Sequence, residues 1–490
     1  MIAPGSAQIL DGVSGGTVLR ADVAVAGSGA GAGAAAGELR RAGLSVLMIE
    51  AGPAPSTTRP GVHIRNGFPD EDQLDSYYGP QVRAVLGPFS RPGMPFARLP
   101  GAVCAQSVGG MLSYWSHMCA IPDPVTEAEP SIPEPEMTPL VHRSLELLWA
   151  NTDIAAAGQR QKRVQEAVSQ AFPGLPAGRE VQPFPVSMQR TATGSIEYAG
   201  IDALLTTDGS ASPGDVSILP GHAVRQVEFS GSRASALIAA PRDGGRTVRI
   251  EAQAIVVAGG AIGTPQLLHA SGLRMPALGH YLTEHPMMIS LIKLRDEFTA
   301  DVPADDPNFA VWIPASTARD MHTQIARHAR STLAGAPEPA DEIDPRLTAT
   351  ITQFTGVDPW PDNYVSFDDG VPDAFGLPTA DIHFTLSDAD RRRAAGMFTD
   401  NYRVIQTLAD RVFPVSITLM QPGSSLHLMG TTRIGAADDG TSVTDSNVRV
   451  WGYDNLYLAG NGVISTRNAG NPTVNTVALG LRAARAIIAS

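Results

Sequence analysis

The feature that most constrains this 490-residue chain is a glycine- and alanine-rich run near its start. The run is VAVAGSGAGAGAAAG, residues 23–37. Apolar residues on either side predict a strand over Asp22–Ala26, a helix from about Gly29 to Ala42 and a second strand over Ser45–Ile49. A βαβ unit with glycines at its first turn is the frame of a dinucleotide-binding site.

The run contains Gly27-x-Gly29-x-x-Ala32, and each position has a physical reason. Gly27 allows a tight turn, Gly29 lets the backbone approach a pyrophosphate, and the small Ala32 lets the helix pack on the strand. Free N–H groups at the helix N-terminus favour phosphate. Glu50 ends the second strand and can accept hydrogen bonds from ribose hydroxyls. An alanine-rich packing helix without a ligand is the alternative interpretation.

Composition excludes several classes of function. The net charge of −13 argues against nucleic acid and anionic membranes as partners. Cys104 and Cys119 are the two cysteines, which is too few for a disulfide framework or a thiolate metal site. The chain shows neither a secretory signal pattern nor an apolar run long enough to span a bilayer. We therefore expect a cytoplasmic protein that binds no metal.

Strand–glycine–helix patterns recur at the start, middle and end of the chain. They predict an α/β fold in which a discontinuous Rossmann-like nucleotide-binding domain carries an inserted, sheet-based substrate-binding domain. The predicted segments are nucleotide-binding residues 1–125 with a covering segment over 59–101, helical, substrate-side residues 126–200, nucleotide-binding residues 201–286, substrate-binding residues 287–420 and nucleotide-binding residues 421–490.

Local patterns complete the expected layout. Leu140–Ala171 is expected to be mostly helical, and Val216–Val257 alternates as strands do. The proline- and alanine-rich segment Thr317–Arg346 has few apolar anchors and is expected to form a mobile loop over the site. Near the C-terminus we expect a strand over Leu456–Ala459 and a helix over Thr473–Ala489.

FAD and NAD share the glycine motif, so the choice between them depends on a resemblance. Five blocks come in chain order: SVGGMLSYWSH (107–117), AIVVAGGAIGTPQLL (254–268), LGHYLTEHP (278–286), SSLHLMGTTRIG (424–435) and NLYLAGNGVISTRNAGNPTVNTVALGLRAARAI (455–487). Together they resemble the glucose-methanol-choline (GMC) oxidoreductases, which implies that the discontinuous Rossmann-like domain is an FAD-binding domain. Within that family the chain is most similar to pyranose oxidases, and by its length to a compact bacterial branch that includes oxidases acting at C3 of glycosides.

The resemblance implies an alcohol oxidation in which a base removes the hydroxyl proton and flavin N5 takes the hydride. His427 stands at the family's catalytic position, and histidine titrates near neutrality. Asn471 stands where the family has a histidine or asparagine partner, and it can bond the substrate oxygen but cannot act as a base. The alternative for His427 is a satisfied structural histidine. His285 is expected to be structural, and His117 is given no role.

The resemblance also implies the flavin contacts. Tyr114 stands where some pyranose oxidases carry a histidine bonded to the flavin, so FAD is expected to be non-covalent. Asn461 stands where many relatives have an acidic residue, and Pro472 starts a helix directed at the flavin pyrimidine. The expected cofactor-binding residues are Gly27, Gly29, Ala30, Ala32, Glu50, Gly109, Gly110, Met111, Trp115, Ser116, Val224, Gly259, Asn461, Pro472 and Thr473.

The expected function is oxidation of a secondary ring hydroxyl, at C3 or C2, of a sugar or glycoside. Oxygen or a quinone-like compound would reoxidise the flavin. Three alternatives stay open at this point: an oxidase or dehydrogenase of another alcohol or a sterol, a non-catalytic nucleotide-binding flavoprotein, and a nicotinamide dehydrogenase.

Overall fold

The computed structural model describes residues 7–54, 61–67, 86–87, 98–206, 214–242, 244–303, 306, 308–327, 345–413 and 417–490. The helices in these ranges are α1 Ala30–Arg41, α2 Glu134–Leu147, α3 Asp153–Ala156, α4 Gln159–Ala171, α5 Ile201–Leu204, α6 Gly260–Ala270, α7 Asp296–Thr299, α8 Asp388–Leu408 and α9 Thr473–Ile488. The strands are β1 Gln8–Ile9, β2 Val18–Ala26, β3 Val46–Ile49, β4 Leu86–Gly87, β5 Cys104–Ala105, β6 Ala150–Asn151, β7 Gln182–Pro183, β8 Val186–Arg190, β9 Ile196–Tyr198, β10 Val216–Leu219, β11 His222–Ser230, β12 Arg233–Pro241, β13 Val248–Val257, β14 Met287–Leu294, β15 Ala310–Ile313, β16 Met321–Arg327, β17 Thr348–Thr355, β18 Tyr364–Pro372, β19 Pro378–His383, β20 Ala409–Val412, β21 Thr418–Leu419 and β22 Leu456–Leu458.

The first sheet has the order β1-β10-β3-β2-β13-β12-β11. Its strands from β1 to β13 run parallel, and the β11–β12 hairpin continues it in antiparallel pairing. β13 pairs with β12 through its first residues and with β22 through its last, so the C-terminal part of the chain completes this sheet. The predicted βαβ unit is confirmed as β2, α1 and β3.

The carboxyl ends of β2, β3, β13 and β22 meet at one edge of this sheet, as parallel pairing requires. The residues that follow these strands therefore lie close together, although they come from three distant parts of the sequence. Ligands of open parallel sheets bind at this edge. α1 and α9 pack against each other at one face of the sheet, with Gly480 so close that an added Cβ would lie 2.5 Å from the Gly31 carbonyl oxygen.

The second sheet is antiparallel and has the order β20-β14-β17-β16-β15-β7, with β21 paired to β14. α4 and α8 cover one face and bury an apolar cluster with β14, β15 and β17. The segment 126–200 is shared between the two sheets. α2 packs on α9 of the first sheet, whereas α4 packs on the second.

The expectation of a loop over Thr317–Arg346 is wrong for its first part. β16, Met321–Arg327, lies between β15 and β17 inside the second sheet. Its polar residues His322, Thr323 and Gln324 are buried because other buried groups bond to them, so low hydrophobicity concealed a central strand. Residues 328–344 lie outside the described residues, as does most of the expected covering segment 59–101.

Candidate active site

A cavity of about 580 Å³ runs from the edge of the first sheet to a face of the second. Three helix N-termini open onto it: α1 after Gly29, α6 after Gly259 and α9 after Pro472. None of the three has a side chain that caps its first N–H groups. Uncapped N–H groups at the start of a helix can donate hydrogen bonds to an anion or to the polar edge of a ring. The cavity wall can therefore bind a phosphate-containing ligand at several points.

The first-sheet end of the cavity has a backbone that only glycine permits. Gly27 has φ +112°, and a Cβ there would overlap the Ala258 carbonyl oxygen. Gly29 has open space around the position of a Cβ, so a ligand can approach its backbone. Gly31, which the sequence analysis did not single out, lines the cavity where a Cβ would lie 2.5 Å from the Gly460 nitrogen. In the sequence, Gly31 is the third glycine of the run 23–37, and that position could have indicated its role.

Glu50 lies at this end with its carboxylate buried. The Ser28 hydroxyl donates to Oε2 at 2.6 Å, and the Gly52 N–H donates to Oε1 at 2.9 Å. Burial raises the pKa of Glu50 to about 7, although these hydrogen bonds oppose the shift. A buried carboxylate beside the glycine turn can accept hydroxyl donors from a bound nucleotide.

Most of the residues expected to bind the cofactor line this one cavity. They are Gly27, Gly29, Ala30, Glu50, Gly110, Met111, Trp115, Ser116, Val224, Gly259, Asn461, Pro472 and Thr473. Ala32 does not: it is buried in the core between α1 and its sheet. Gly109 does not line the cavity either. It has φ +98°, and its N–H donates to Ser28 Oγ at 3.1 Å, so it ties the following turn to the Glu50 region.

Tyr114, Trp115 and Ser116 line the middle of the cavity. The Trp115 indole donates to the Ala199 carbonyl at 3.1 Å, and the Ser107 hydroxyl donates to Tyr114 Oη at 3.2 Å. These bonds fix both rings. His117 is half-buried and does not line the cavity.

His427 and Asn471 line the cavity and lie beside each other. His427 Nε2 is 3.3 Å from the Asn471 amide, and its Nδ1 is 3.0 Å from Nδ1 of His285. The two residues are 44 positions apart in sequence, and β22 lies between them. His285 was expected to be structural, but here its ring bonds directly to that of His427.

Burial dominates the electrostatics of the histidines here. Desolvation lowers the pKa of His427 well below the usual range, and the neighbouring His285 and His322 lower it further. Burial likewise lowers the pKa of His285 to about 4. His427 is therefore neutral at pH 7, and a neutral imidazole has a lone pair that can accept a proton.

Three buried carboxylates hold the loops that carry His427 and Asn471, and the sequence analysis missed all three. Glu284 accepts the Ser425 hydroxyl at 2.7 Å and the His427 backbone N–H at 3.1 Å. Glu127 accepts the backbone N–H groups of residues 469 and 470, and Glu129 accepts the Ser465 hydroxyl at 2.6 Å. Each lies far from its partner in sequence, so spacing gave no signal.

The second sheet forms the opposite wall of the cavity. Its lining residues are Met287, Ile289, Gln324, Ala326, Thr350, Thr352 and Phe354. Some of these side chains are apolar, the others are polar without a charge, and none of them ionises. The Phe354 ring lies 4.9 Å from that of His427. The wall suits an uncharged substrate that has both apolar faces and hydroxyl groups.

Behind Asn471 lies a second polar group that the sequence analysis missed. One terminal amide atom of Gln324 is 2.5 Å from the Asn471 amide and 3.0 Å from Nε2 of His322. His322 in turn accepts the Trp312 indole N–H at Nδ1, at 2.7 Å. The chain of contacts therefore extends from His427 and Asn471 into the second sheet.

Comparison with known proteins decides the family. Two family models described as GMC oxidoreductase match residues 208–287 and 359–480. C-glycoside 3-oxidases of Microbacterium trichothecenolyticum and Arthrobacter globiformis are each 30% identical to this chain over 95% of it, and over 96% and 94% of their own lengths. The chain belongs to the GMC oxidoreductase family. A pyranose 2-oxidase of Tricholoma matsutake is 29% identical over 80% of this GMC chain and 74% of its own length.

Solved structures support the fold of this GMC oxidoreductase. A formate oxidase of Aspergillus oryzae has a TM-score of 0.70 at 13% identity and covers 97% of this chain and 99% of its own. Pyridoxine 4-oxidase from Mesorbium loti has a TM-score of 0.62 at 17% identity, over 95% and 98%. The chain is an FAD-dependent oxidoreductase that acts on CH–OH donors. In the described ranges, no cluster of His, Cys, Asp or Glu could hold a metal, and no helix has the length and hydropathy to cross a membrane.

Proposed function

We propose that this enzyme oxidises a secondary ring hydroxyl of a sugar or glycoside, at C3 or C2, to the ketone. The observation that carries the proposal is the pairing of His427 with Asn471 beside an uncharged wall, in a chain 30% identical to two C-glycoside 3-oxidases over nearly all of its length. Pyranose 2-oxidases, which are related over most of the chain, support the same substrate class.

The residues present fit FAD. Glycine turns that leave room for a close backbone approach, three uncapped helix N-termini and the buried carboxylate of Glu50 line one continuous cavity. We propose that Gly27, Gly29 and the α1 N-terminus hold the diphosphate and that Glu50 holds the adenosine ribose. The N-terminus of α9, at Pro472 and Thr473, would face the flavin ring. When bound there, FAD accepts the hydride from the substrate.

His427 is the proposed base. Its ring is neutral at pH 7 because burial lowers its pKa, so Nε2 can accept the hydroxyl proton as the hydride leaves the substrate carbon. Asn471, whose amide is 3.3 Å from Nε2 of His427, would orient the same oxygen. His285 bonds to Nδ1 of His427 and holds the ring in place. Oxygen or a quinone-like acceptor would then take up the electrons in a second half-reaction.

An anaerobic titration of the flavin absorbance tests the substrate class. Free sugars, O-glycosides and C-glycosides are mixed separately with the purified yellow protein, and the ketone products are identified by NMR. At least one carbohydrate should bleach the flavin and give a ketone at C3 or C2. Bleaching by a sterol or simple alcohol with no response to any carbohydrate would contradict the proposal, and so would a protein without flavin absorbance.

FAD should be bound without a covalent link. Tyr114 stands where a flavin-linking histidine is found in some relatives, and its hydroxyl is engaged with Ser107. Precipitation of the protein with acid should therefore release all of the yellow colour into the supernatant. Flavin that stays in the washed pellet would show that another residue forms the bond.

A further inference from the structure

Asn471 is linked to Trp312 by hydrogen bonds through Gln324 and His322, and the donor at the Trp312 end is fixed. Trp312 on β15 donates its indole N–H to Nδ1 of His322 on β16, and both rings are buried. An indole nitrogen can only donate, so Nδ1 of His322 carries a lone pair. Burial lowers the pKa of His322 well below the usual range. The ring is therefore neutral, and its single proton is on Nε2.

That proton decides the orientation of two amides. The terminal nitrogen and oxygen of a side-chain amide are nearly indistinguishable by size, so the hydrogen bonds decide which atom lies on which side. Nε2–H of His322 requires an acceptor, and the amide atom 3.0 Å away must be Oε1 of Gln324. The same atom is 2.5 Å from the Asn471 amide, which must therefore donate to it. Asn471 then directs its carbonyl oxygen at Nε2 of His427, 3.3 Å away.

The hydrogen bond between His427 and His285 also has a direction. The proposed base role of His427 requires a lone pair on Nε2, so the single proton of its neutral ring lies on Nδ1, 3.0 Å from Nδ1 of His285. Nδ1 of His285, which faces His427, is then an acceptor. His427 donates to it from Nδ1 and keeps its lone pair on Nε2. A lone pair and a carbonyl oxygen therefore face each other, with no proton between them.

We propose that Trp312 and His322 are positioning residues: through the amides of Gln324 and Asn471 they hold a carbonyl oxygen opposite Nε2 of His427. The hydrogen-bond network lacks one proton at the point where the substrate hydroxyl supplies one. The O–H bond of the substrate breaks and an N–H bond forms at Nε2, which then donates to the Asn471 oxygen. The O–H electron pair becomes the second C–O bond of the ketone, and the C–H electron pair would leave with the hydride to FAD. This inference rests on the proposed role of His427.

The groups around the rings of His427 and His322 explain why an acceptor oxygen is needed opposite Nε2 of His427. His285 and His322 both disfavour a positive charge on His427, and the apolar Phe354 ring lies 4.9 Å from the His427 ring. Glu284 accepts the backbone N–H of His427. Arg319 and Arg179 face His322 and help to keep it neutral. The Asn471 oxygen is thus a direct acceptor for the proton that His427 gains.

The first test replaces Trp312 by phenylalanine, which removes the indole N–H and retains an aromatic ring. His322 can then move its proton to Nδ1, and both amides can turn. In the turned orientation an Asn471 N–H donates to Nε2 of His427 and favours the neutral form of that ring. The pH at which the rate of flavin reduction rises, its pH step, should therefore decrease by about one unit. Trp451→Phe is the matched control, because its indole donates to Ser442 Oγ at 2.9 Å and neither residue lines the cavity. A folded Trp312→Phe enzyme with an unmoved step would overturn the proposal.

The second test needs no variant. A neutron structure of the deuterated FAD-bound enzyme should show deuterium on Nε2 of His322 and on Nδ1 of His427, with the Gln324 oxygen facing His322. Deuterium on Nδ1 of His322, or a Gln324 nitrogen facing it, would overturn the proposal even if His427 is the base. Conversely, a wild-type pH step that persists in His427→Ala would refute the proposed function, whatever the neutron structure shows.

Discussion

Replacement of His427 by alanine is expected to slow flavin reduction by about 10²- to 10⁴-fold, the range usual for loss of a general base. His427 is the histidine that lines the cavity beside Asn471, and the amide of Asn471 cannot accept the proton. FAD should remain bound, because the glycine turns and Glu50 lie at the other end of the cavity. Stopped-flow absorbance of the anaerobic enzyme with substrate measures the rate directly.

The pH profile of the same reaction assigns the base. His427 must lose its proton to act, so the wild-type rate should rise with pH and reach a plateau. Because burial lowers the pKa of His427, the step should lie below the 6.5 of an ordinary histidine. His427→Ala should lack this step, and Asn471→Ala should keep it with a smaller loss of rate.

His269→Ala is a suitable control, since His269 bonds to Asp369 and does not line the cavity. It should reduce at the wild-type rate. If His427→Ala also reduces at nearly the wild-type rate, the base is another residue.

Replacement of Glu50 by alanine is expected to weaken FAD binding by about 10- to 100-fold. The change removes a buried charged acceptor, and hydrogen bonds to charged groups contribute about 1.5–3 kcal/mol. The variant should purify with little flavin, and fluorescence titration of the apoprotein with FAD gives the affinity. Glu146→Ala, an exposed carboxylate on α2, should bind FAD as the wild type does.

The affinity of the wild type should also depend on pH. Burial raises the pKa of Glu50 to about 7 in the protein without ligand, and donors from FAD would favour its charged form. FAD should therefore bind more tightly as the pH rises from 6 to 8. Glu50→Gln cannot ionise and should lose this dependence. Unchanged affinity in Glu50→Ala would place the ribose elsewhere.

The β2–α1–β3 unit and the position of Glu50 were predictable because their signals are local. The turn from β2 to α1, the strand that ends at Glu50 and the glycine blocks are each contained in short runs whose geometry follows from residue type. The resemblance then placed His427 and Asn471 in one site. The structure brings them to within 3.3 Å of each other.

The surroundings of that pair could not be predicted, because their contacts join distant segments. Gln324 meets Asn471 across 147 residues, and Glu129 meets Ser465 across 336. A buried polar residue looks like a loop residue in sequence until its partner is known. For this reason β16, whose centre is His322-Thr323-Gln324, was mistaken for part of a loop.

The discontinuity of the first sheet has a consequence for how the chain folds during synthesis. β2 and α1 are made early, but β13 follows more than 200 residues later, and β22 and α9 come near the end. Gly31 packs directly against Gly460 and Gly480, so the turn between β2 and α1 has no complete support until those residues leave the ribosome. Contacts of such long separation form slowly. The apolar residues of β2 and α1 therefore lack their final partners for most of translation, and it is during this interval that a chaperone would have the most apolar surface to bind.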